Sequence, residues 1–496
     1  MEALMTALAY VLQPYHIGVI FFGTLIGILV GAMPGLSSIM GLSIMMPLTL
    51  SLEGNAGILM LLGIFCGAIY GGSITAILIK TPGTANSAAT VLDGYPMATK
   101  LGQPGRAIGI STMASTFGGL FSAVMLLWTA PLLSKFALKF GAAEYFALAM
   151  FGLSMVTSIS SKNVIKGLIG AVIGLMLSTI GINSLTGSPR FTFGSVYLMG
   201  GIAMVPTLIA LYAFSQGLSN IEDGKKGGEK SNAKLERILP TLADIKTTFP
   251  TILRSSVIGT VIGAIPGTGG DIASWVGYNE AKRWSKHPEK FGEGVPEGIA
   301  APEAANNAIS GGALIPLLTL GIPGDAGTAV MLSALMMQGV VPGPTLFTDQ
   351  TGMVYTIIAG LFFANIAMCI LGYAAIRGFA KIGNVSNTYL TPIVFVFCVV
   401  GTYALNNNIL DIFMMMIFGA VAFFLIKCDF PMPPIILGLI LGNLAEKNLQ
   451  RALVISNGSI SIFFTRPISL VLIIISVFSL LWPIIHPLLK KKSAEK

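Results

Sequence analysis

The sequence predicts an all-α polytopic membrane protein, and three observations support this fold class. Of the 496 residues, 54% are hydrophobic and 10% are charged, whereas soluble domains carry about 25% charged residues. The mean hydropathy is +0.82. The apolar residues form long segments, and a helix needs about 20 such residues to cross a bilayer, so we expect about 10 to 12 transmembrane segments.

The positive charge of the chain is explained by membrane topology. The formal net charge is +8, which in a soluble protein would suggest a nucleic-acid partner. In a membrane protein, Lys and Arg collect in cytoplasmic loops. We therefore expect a lipid bilayer and no nucleic acid as partner. Because no Lys or Arg precedes Lys80, we also expect no cleavable signal peptide.

Cysteine and histidine give no sign of a cofactor. The four cysteines lie far apart in apolar segments, and the three histidines form no local metal motif. We therefore expect no cofactor and no catalytic residue. The one metal ion that we consider is Na⁺, as an alternative to H⁺ in the role of coupling ion.

Four Pro-Gly pairs interrupt the apolar segments, at Pro34-Gly35, Pro82-Gly83, Pro266-Gly267 and Pro323-Gly324. Proline removes a backbone donor and glycine permits backbone angles that other residues avoid, so a helix should break at each pair. Broken backbone at membrane depth is tolerated where it is buried in protein or lines a cavity. The four breaks therefore predict a binding site within the membrane.

The breaks belong to a divergent internal repeat. Residues Gly23–Gly27, leading on to Gly31–Gly35, match Gly259–Gly267, and Gly-Gly pairs at 71–72 and 311–312 precede the second and fourth breaks. Corresponding links in the two halves have opposite Lys and Arg bias, so the positive-inside rule predicts two inverted-topology repeats. Inverted repeats with broken helices are a secondary-transporter design. We expect the N-terminus outside and the C-terminus in the cytoplasm.

The same pattern divides the chain into four parts. We expect a first transmembrane repeat half at 1–218, a basic cytoplasmic linker at 219–249 and a second, inverted repeat core at 250–400. Residues 401–496 would form C-terminal transmembrane helices and a basic cytoplasmic tail.

The second break offers donors for an anion. Thr84, Asn86 and Ser87 follow Gly83, and a helix restarting there would present free backbone N–H groups and a positive dipole end. Such a set can hold a carboxylate. Lys80 stands directly before the break, where it either pairs with an anion or extends to the membrane surface.

Acidic residues beside the breaks are confined to the second half. Asp325 takes the place of Thr84 after the fourth break, where it either caps a half-helix or binds Na⁺ or a proton. Asp271 follows the third break and has the same two interpretations, whereas the equivalent loop of the first half has Ser37 and Ser38. This asymmetry predicts that the second half couples transport to a cation.

Three polar residues share one face of an apolar helix. Glu303, Asn306 and Asn307 lie three and four residues apart. Such residues either hold helices together or line a pathway, and both interpretations are open for the two asparagines.

The predicted site combines the break loops with this helix face. The predicted substrate-binding residues are Gly35, Ser37, Ser38, Lys80, Thr81, Gly83, Thr84, Asn86, Ser87, Gly267, Thr268, Gly269, Asn306, Asn307, Gly324, Gly327 and Thr328. The coupling-ion candidates are Asp271, Asp325 and Glu303.

These motifs resemble the large membrane subunit of the tripartite tricarboxylate transporters. The resemblance is carried by Gly71–Thr84, Gly263–Gly269, Pro302–Asn307 and Gly321–Gly324, and it extends from about residue 15 to about residue 485. It implies a prokaryotic secondary transporter in the cell membrane that imports organic anions such as citrate, driven by a Na⁺ or H⁺ gradient. It also implies two partners, a small membrane subunit and an extracytoplasmic solute-binding protein.

Two other classes of function fit parts of the sequence. An intramembrane aspartyl protease would use Asp271 and Asp325, but such enzymes carry Gly-x-Gly-Asp, and Thr268 stands three residues before Asp271. A protease also gives no reason for Pro-Gly breaks in the half that lacks acids. A passive anion channel is compatible with the repeat, and it differs from a transporter because it cannot concentrate its solute.

Overall fold

The computed structural model describes residues 2–33, 36–155, 164–183, 185–222, 238–374 and 387–494. The helices before the predicted linker are α1 (Glu2–Val11), α2 (Pro14–Gly31), α3 (Ser38–Leu50), α4 (Ala56–Ile79), α5 (Val91–Thr99), α6 (Pro104–Ala137), α7 (Ala142–Ser154), α8 (Val164–Ser178), α9 (Val196–Met199), α10 (Met204–Leu208) and α11 (Ser215–Glu222). The later helices are α12 (Leu242–Gly263), α13 (Gly269–Trp284), α14 (Pro296–Gly312), α15 (Leu314–Leu320), α16 (Ala326–Met337), α17 (Leu346–Asp349), α18 (Thr351–Ala374), α19 (Asn387–Asn406), α20 (Ile409–Lys427), α21 (Met432–Ile455), α22 (Ile462–Thr465) and α23 (Pro467–Ala494).

The predicted all-α membrane class is confirmed. Within the described ranges, strands are limited to a short antiparallel pair, β1 (Gly181–Ile182) and β2 (Pro189–Arg190). Of the described helices, α2, α4, α6, α18 and α20 are long and apolar enough to cross a bilayer unaided. Several shorter apolar helices accompany them, as expected where broken helices share a crossing.

Three of the four predicted breaks can be followed in the structure. Helix α4 ends at Ile79, α12 ends at Gly263 before α13 begins at Gly269, and α15 ends at Leu320 before α16 begins at Ala326. Helices α2 and α3 flank the first break, whose Pro34 and Gly35 lie outside the described residues.

One expectation about the second break is wrong. No α-helix restarts directly after Pro82-Gly83; a single 3₁₀ turn, Ala85–Ser87, is followed by α5 from Val91. Thr84 and Ser87 place their hydroxyl oxygens 3.4 Å apart across this turn, and such short polar side chains compete with helical backbone bonding. The second break therefore lacks the helix dipole that its sequence suggested.

Helices occupy both ends of the predicted linker at 219–249, and the linker itself stays a prediction. Residues 219–222 belong to α11, and residues 242–249 belong to α12, while residues 223–237 lie outside the described residues. Thr241 and Asp244 cap α12 reciprocally. Asp244 also accepts a 2.5 Å hydrogen bond from Arg106 of α6, so the second half begins with an ion pair to the first.

The chain forms two compact units. Unit 1 comprises residues 1–134 and 212–412, and unit 2 comprises residues 135–211 and 413–496. All predicted site residues belong to unit 1. The sequence division into repeat halves concerns internal symmetry and stays a prediction, since the compact units follow other boundaries.

Unit 2 is held by close helix contacts and two ion pairs. A methyl group at Gly174 of α8 would lie 2.0 Å from the Ile435 carbonyl oxygen of α21, so glycine permits this contact. Arg190 pairs with Glu446, and Arg466 pairs with Glu144 at 2.8 Å. A cavity of about 170 Å³ beside Arg190 contains none of the predicted site residues.

Unit 1 contains the same helix-pair contact twice. In α2, Gly27 and Gly31 approach the carbonyl oxygens of Ile64 and Ala68 on α4. In α12, Gly259 approaches the carbonyl oxygen of Ala305 on α14. These contacts leave no room for a side chain, so glycine is required at each crossing.

Contacts of the break loops show which residues of the first half correspond to which residues of the second, that is, the register of the repeat. A methyl group at Gly83 would meet the Gly31 carbonyl oxygen at 2.0 Å, and one at Gly324 would meet the Gly263 carbonyl oxygen at 2.5 Å. Gly31 is therefore equivalent to Gly263, and Gly83 is equivalent to Gly324.

The same register follows from the match of Gly31–Gly35 with Gly263–Gly267 in the sequence. Gly27 is therefore the equivalent of Gly259, one helical turn after the Gly23 that the Gly23–Gly27 match pairs with it, and Gly71 is the equivalent of Gly312, a shift of one residue from the match of the Gly-Gly pairs. In the corrected register, twelve residues separate Gly71 from Gly83 and Gly312 from Gly324. The two halves thus agree more closely than their sequences suggested, while their inverted orientation stays a prediction.

Candidate functional site

The three described break loops come together in unit 1. The backbone N–H of Gly267, at the third break, donates a 2.7 Å hydrogen bond to the carbonyl oxygen of Gly324, at the fourth. The loop after the second break reaches the third break through Asn86, which lies beside Gly270. The breaks therefore meet in space, as the sequence predicted, although they are distant along the chain.

Two asparagines converge on the first turn of α13. A methyl group at Gly270 would lie 2.4 Å from Nδ2 of Asn86 and 2.6 Å from Oδ1 of Asn306. Asn306 is completely buried, and its Oδ1 has no hydrogen-bond partner among the described residues. Its Nδ2 makes only a long contact, 3.4 Å, with the Ile69 carbonyl oxygen. An unpaired buried amide oxygen is costly, so this atom marks a position where a ligand would be favourable.

Helix α13 brings its N-terminus to the same place. It has 16 residues, enough for its backbone dipoles to add up at its first turn. Gly269 enters the helix with φ 75°, a conformation that glycine adopts without strain. Thr268 donates its hydroxyl hydrogen to the carbonyl oxygens of Ile262 and Ile265, at 2.5 and 2.9 Å. Thr268 therefore binds carbonyl oxygens at and just after the C-terminal end of α12. Gly270, in the first turn of α13, lies beside the two asparagines.

Asp271 and Asp325 have different surroundings. Asp271 is exposed, and its carboxylate lies against the backbone N–H groups of Asp271 and Ile272. Asp325 caps α16, because its Oδ1 accepts 2.7 Å hydrogen bonds from the backbone N–H and the hydroxyl of Thr328. The charge of Asp271 acts on Asp325, so both carboxylates belong to one electrostatic environment.

Lys80 has a strained backbone. It ends α4 with φ 58°, in the left-handed region that costs residues with a Cβ atom about 1 to 2 kcal/mol. Its side chain is exposed, and its ammonium group lies 5.7 Å from the ring centre of Tyr95. Thr81 beside it is exposed and donates to the Ile79 carbonyl oxygen. Strain of this kind persists where the surrounding structure requires it, which makes Lys80 a candidate functional residue.

Other predicted residues make local contacts. Ser37 caps α3 through the backbone N–H of Met40, at 3.1 Å, and Ser38 beside it is buried. Asn307 donates to the Glu303 carbonyl oxygen within its own helix. Gly327 lies against the ring of Phe65. Gly35 lies outside the described residues.

Glu303 lies one turn from Asn306, in a pocket of hydroxyl groups that the sequence did not reveal. It is completely buried. Oε1 accepts a 2.5 Å hydrogen bond from Thr90, and Oε2 accepts a 3.0 Å hydrogen bond from Ser115 of α6. Ser111, one turn before Ser115, lies near this carboxyl group, and its hydroxyl donates a 2.8 Å hydrogen bond to the Ser73 hydroxyl. The four-residue spacing of the two serines was a signal of a polar helix face.

Asp93 is a second buried acid that the sequence did not reveal. Its Oδ1 accepts three 2.9 Å hydrogen bonds from the backbone N–H groups of Gly292, Gly294 and Val295. Its Oδ2 accepts a 2.9 Å bond from the Tyr278 hydroxyl. Asp93 thereby fixes the loop that leads into α14, the helix that carries Glu303 and Asn306. Its position between apolar residues of a short helix gave no sign of these partners.

The donor set at the tip of α13 consists of amide groups and a helix N-terminus. Across the described ranges, no group of three or more His, Cys, Asp or Glu residues could hold a metal ion. Amide groups and a helix N-terminus suit a carboxylate.

The chain is similar to known proteins over most of its length. The model of the tripartite tricarboxylate transporter TctA family matches residues 17–437. An Agrobacterium vitis protein, described as an uncharacterized 52.8 kDa protein in the TAR-I ttuC′ 3′ region, is 37% identical over 458 residues, covering 92% of this chain and 91% of that protein.

A second A. vitis protein, from the TAR-II ttuC′ 3′ region, is 37% identical over 211 residues, covering 42% of this chain and 87% of that protein. No solved structure matches the chain. The family match spans most of the sequence and includes all four Pro-Gly breaks, so the chain belongs to the tripartite tricarboxylate transporter TctA family.

Proposed function

We propose that this chain imports citrate-like tricarboxylates or related organic anions, and that a cation gradient drives the import by alternating access. The observation that carries the proposal is the convergence of Asn86 and Asn306 on Gly270 at the N-terminus of α13. The amide group of Asn86 and the helix N-terminus would bind a carboxylate, and the unpaired Oδ1 of Asn306 would accept a hydroxyl or carboxylic hydrogen of the substrate.

The remaining predicted site residues would shape this site. Lys80, exposed beside the second break, would attract the anion. Gly267 and Gly269, both with left-handed backbone, would let the backbone approach the anion closely, whereas Gly83 and Gly324 pack against the carbonyl oxygens of Gly31 and Gly263. The donors at the centre of the proposed site, the asparagine amide and the N-terminus of α13, carry no full charge. They suit release of the substrate as well as its binding, because a buried lysine or arginine would hold a tricarboxylate too tightly.

The acids give a physical reason for coupling. A carboxylate bound at Gly270 would meet the negative charge of Asp271 in the same helical turn, with Asp325 within electrostatic reach. A cation bound beside Asp271 would remove this repulsion, so anion and cation would bind together more favourably than either alone. Asp271 and Asp325 are therefore the candidate Na⁺ contacts.

The chain would work as part of a complex in the cell membrane. A small membrane subunit and an extracytoplasmic solute-binding protein are the expected partners, since the family is described as tripartite. We keep the topology proposed from the charge bias, with the N-terminus outside and the C-terminus in the cytoplasm.

A thermal-shift screen of organic acids tests direct binding. The purified chain would be heated with citrate, other tricarboxylates and dicarboxylates, with and without Na⁺. A ligand that binds the native state raises its apparent stability by mass action. We expect a larger shift with a tricarboxylate and Na⁺ together than with either alone; no shift with any acid would contradict a carboxylate site in this chain.

Accumulation of labelled citrate in proteoliposomes separates transport from the passive alternative. A secondary transporter raises internal citrate above the external concentration when an ion gradient is applied, whereas an anion channel only equilibrates it. The protease alternative gains no support from the structure, because Asp325 is engaged as a helix cap.

A further inference from the structure

We propose that Glu303 is a proton-binding site of the transport cycle, and that Thr90 transmits its protonation state to the substrate loop at residues 81–90. This inference rests on the proposed transport function and deepens it by naming the residue that would carry the proton.

The first observation is a buried carboxyl group without a cation. Glu303 is completely buried, and none of the ion pairs in the described part of the chain includes it. Burying an isolated carboxylate is strongly unfavourable, and such a group takes up a proton or binds a cation instead. Acids inside membrane segments are therefore candidates for proton carriers.

The second observation favours a proton over Na⁺. Hard cations are held by several oxygen atoms arranged around a shared space. Here the hydroxyls of Thr90 and Ser115 lie 2.5 and 3.0 Å from the carboxylate oxygens, so they fill the space where a cation would sit. The shorter distance is typical of a hydroxyl donating to a charged oxygen. This arrangement describes a carboxylate ready to accept a proton.

The third observation is the link to the substrate loop. Thr90 lies four residues after Asn86, and Glu303 lies three residues before Asn306. The hydrogen bond between Thr90 and Glu303 therefore connects the two segments that supply the asparagines at Gly270, the loop that carries Asn86 and the helix α14 that carries Asn306. When Oε1 is protonated, a new O–H bond forms as one O–H bond of a hydronium ion breaks and water is released, and the Thr90 hydroxyl then changes from donor to acceptor. Protonation of Glu303 would thus change a hydrogen bond of the loop that carries Asn86.

The other ionisable groups nearby have separate roles. Tyr70 of α4 is the titratable side chain that faces Glu303, and it shares a 2.7 Å hydrogen bond with Thr112. The remaining ionisable groups on the packed elements are engaged elsewhere or exposed: Asp93 binds backbone N–H groups and Tyr278, Arg106 pairs with Asp244, Arg254 lies over Trp284, and Asp271 is exposed.

The test uses the full complex in proteoliposomes with labelled citrate. Glu303→Gln keeps the size and the acceptor oxygen of the side chain but cannot release a proton. We expect the variant to lose proton-gradient-driven citrate accumulation much more than citrate–citrate exchange. The loss of accumulation should exceed the loss of exchange by at least about tenfold, which is within the usual range of coupling between two sites. The pH dependence of uptake should flatten. Glu297→Gln, in the first turn of the same helix, is the matched control and should retain the wild-type pH profile.

Two further measurements keep the proposal testable if Glu303→Gln folds poorly. Thr90→Ser retains the hydroxyl and should keep the wild-type pH profile, whereas Thr90→Val should shift it. Infrared difference spectra between acidic and alkaline buffer should show a carboxyl signal in wild type and in Glu297→Gln that Glu303→Gln lacks.

The outcomes separate the two proposals. Wild-type accumulation with an unchanged pH profile in Glu303→Gln would overturn the proton site and leave the carboxylate transporter standing. Absence of the infrared signal from wild type would also overturn it, without any transport assay. A wild-type complex that binds and accumulates no organic acid would instead contradict the proposed function.

Discussion

Lys80 and Gly321 occupy equivalent positions in the two halves of the repeat, three residues before the equivalent glycines Gly83 and Gly324. Both have left-handed backbone, with φ 58° and 71°. The second half uses the residue that adopts this conformation freely, whereas the first half uses one that pays a steric penalty. This contrast is the reason that we propose a role for the ammonium group of Lys80 in the site.

Lys80→Gly separates function from stability. We expect the free energy of unfolding to change by less than about 1 kcal/mol, because relief of left-handed strain offsets the greater freedom of the unfolded chain. Citrate uptake should fall clearly, since the ammonium group at the second break is lost. Thermal unfolding and proteoliposome uptake measure the two effects.

Gly321→Ala is the reciprocal control. It places a Cβ atom at φ 71°, 2.9 Å from the Pro342 carbonyl oxygen, and should destabilise the protein by about 1 to 2 kcal/mol. Uptake by Lys80→Gly at the wild-type rate would show that Lys80 has no part in binding.

Asn306→Ala tests the unpaired amide oxygen. Because Oδ1 has no partner in the described structure, its removal leaves no internal donor without an acceptor, and the stability loss should be small. Citrate binding should weaken roughly tenfold, or about 1.4 kcal/mol, if this oxygen contacts the substrate. The thermal shift at increasing citrate concentration measures the affinity.

Asn365→Ala provides a matched comparison. Asn365 of α18 is also completely buried with an unpaired Oδ1, but it lies against Cys66 and Gly119 rather than at the breaks. Equal losses of citrate affinity in the two variants would indicate a general packing effect and argue against a contact by Asn306.

Gly270→Ala should close the site. The added methyl group would stand within 2.6 Å of both asparagine side chains, so these must move from the tip of α13. We expect loss of citrate binding together with a stability loss of about 1 to 3 kcal/mol from overpacking. Gly18→Ala in α2 is the control, because nothing lies within 4 Å of its added methyl group; a Gly270→Ala variant with normal citrate affinity would exclude this position from the site.

Asp271→Asn and Asp325→Asn test the cation contacts. Asn is as good a helix cap as Asp, so Asp325→Asn should fold, and removal of either charge reduces the repulsion of a bound anion. We expect citrate to bind with less dependence on Na⁺ in each variant, measured as the thermal shift over a Na⁺ series. A double variant with unchanged transport and unchanged Na⁺ dependence would sink the coupling role of both residues.

Asp93→Ala should be the most damaging change to stability among these variants. Three backbone N–H groups and the Tyr278 hydroxyl lose a charged acceptor, and one bond to a charged group contributes about 1.5 to 3 kcal/mol. Thermal unfolding should show a large decrease, whereas Asp349→Ala, an exposed acid of α17, should be nearly neutral. Similar melting temperatures for the two variants would contradict the anchoring role.

The sequence predicted the breaks well because Pro and Gly act locally on the backbone. It predicted the register less well. Gly23, Gly27 and Gly31 repeat every four residues, so a match over five residues can be displaced by one turn. The Pro-Gly pairs that follow Gly31 and Gly263 and the contacts with the facing carbonyl oxygens both select the correct register. The helix expected after Gly83 was wrong because Thr84 and Ser87 close a tighter turn.

The hydroxyl pocket of Glu303 was harder to foresee for another reason. Thr90, Ser111 and Ser115 are distant in sequence from Glu303, and single Ser and Thr residues are common in membrane helices, where they often bond to their own backbone. Their assembly around one carboxyl group depends on packing between helices, which local patterns do not encode.

The contact of Asp93 with residues 292–295 has a consequence for how the protein could be divided. A residue of the first half supplies the acceptor for the entry loop of α14, the central helix of the second half. A fragment that begins at the linker would therefore lack the acceptor that holds the loop leading into α14. We therefore predict that the second half does not fold without the first, and that a split version of this protein assembles only when both pieces are produced together.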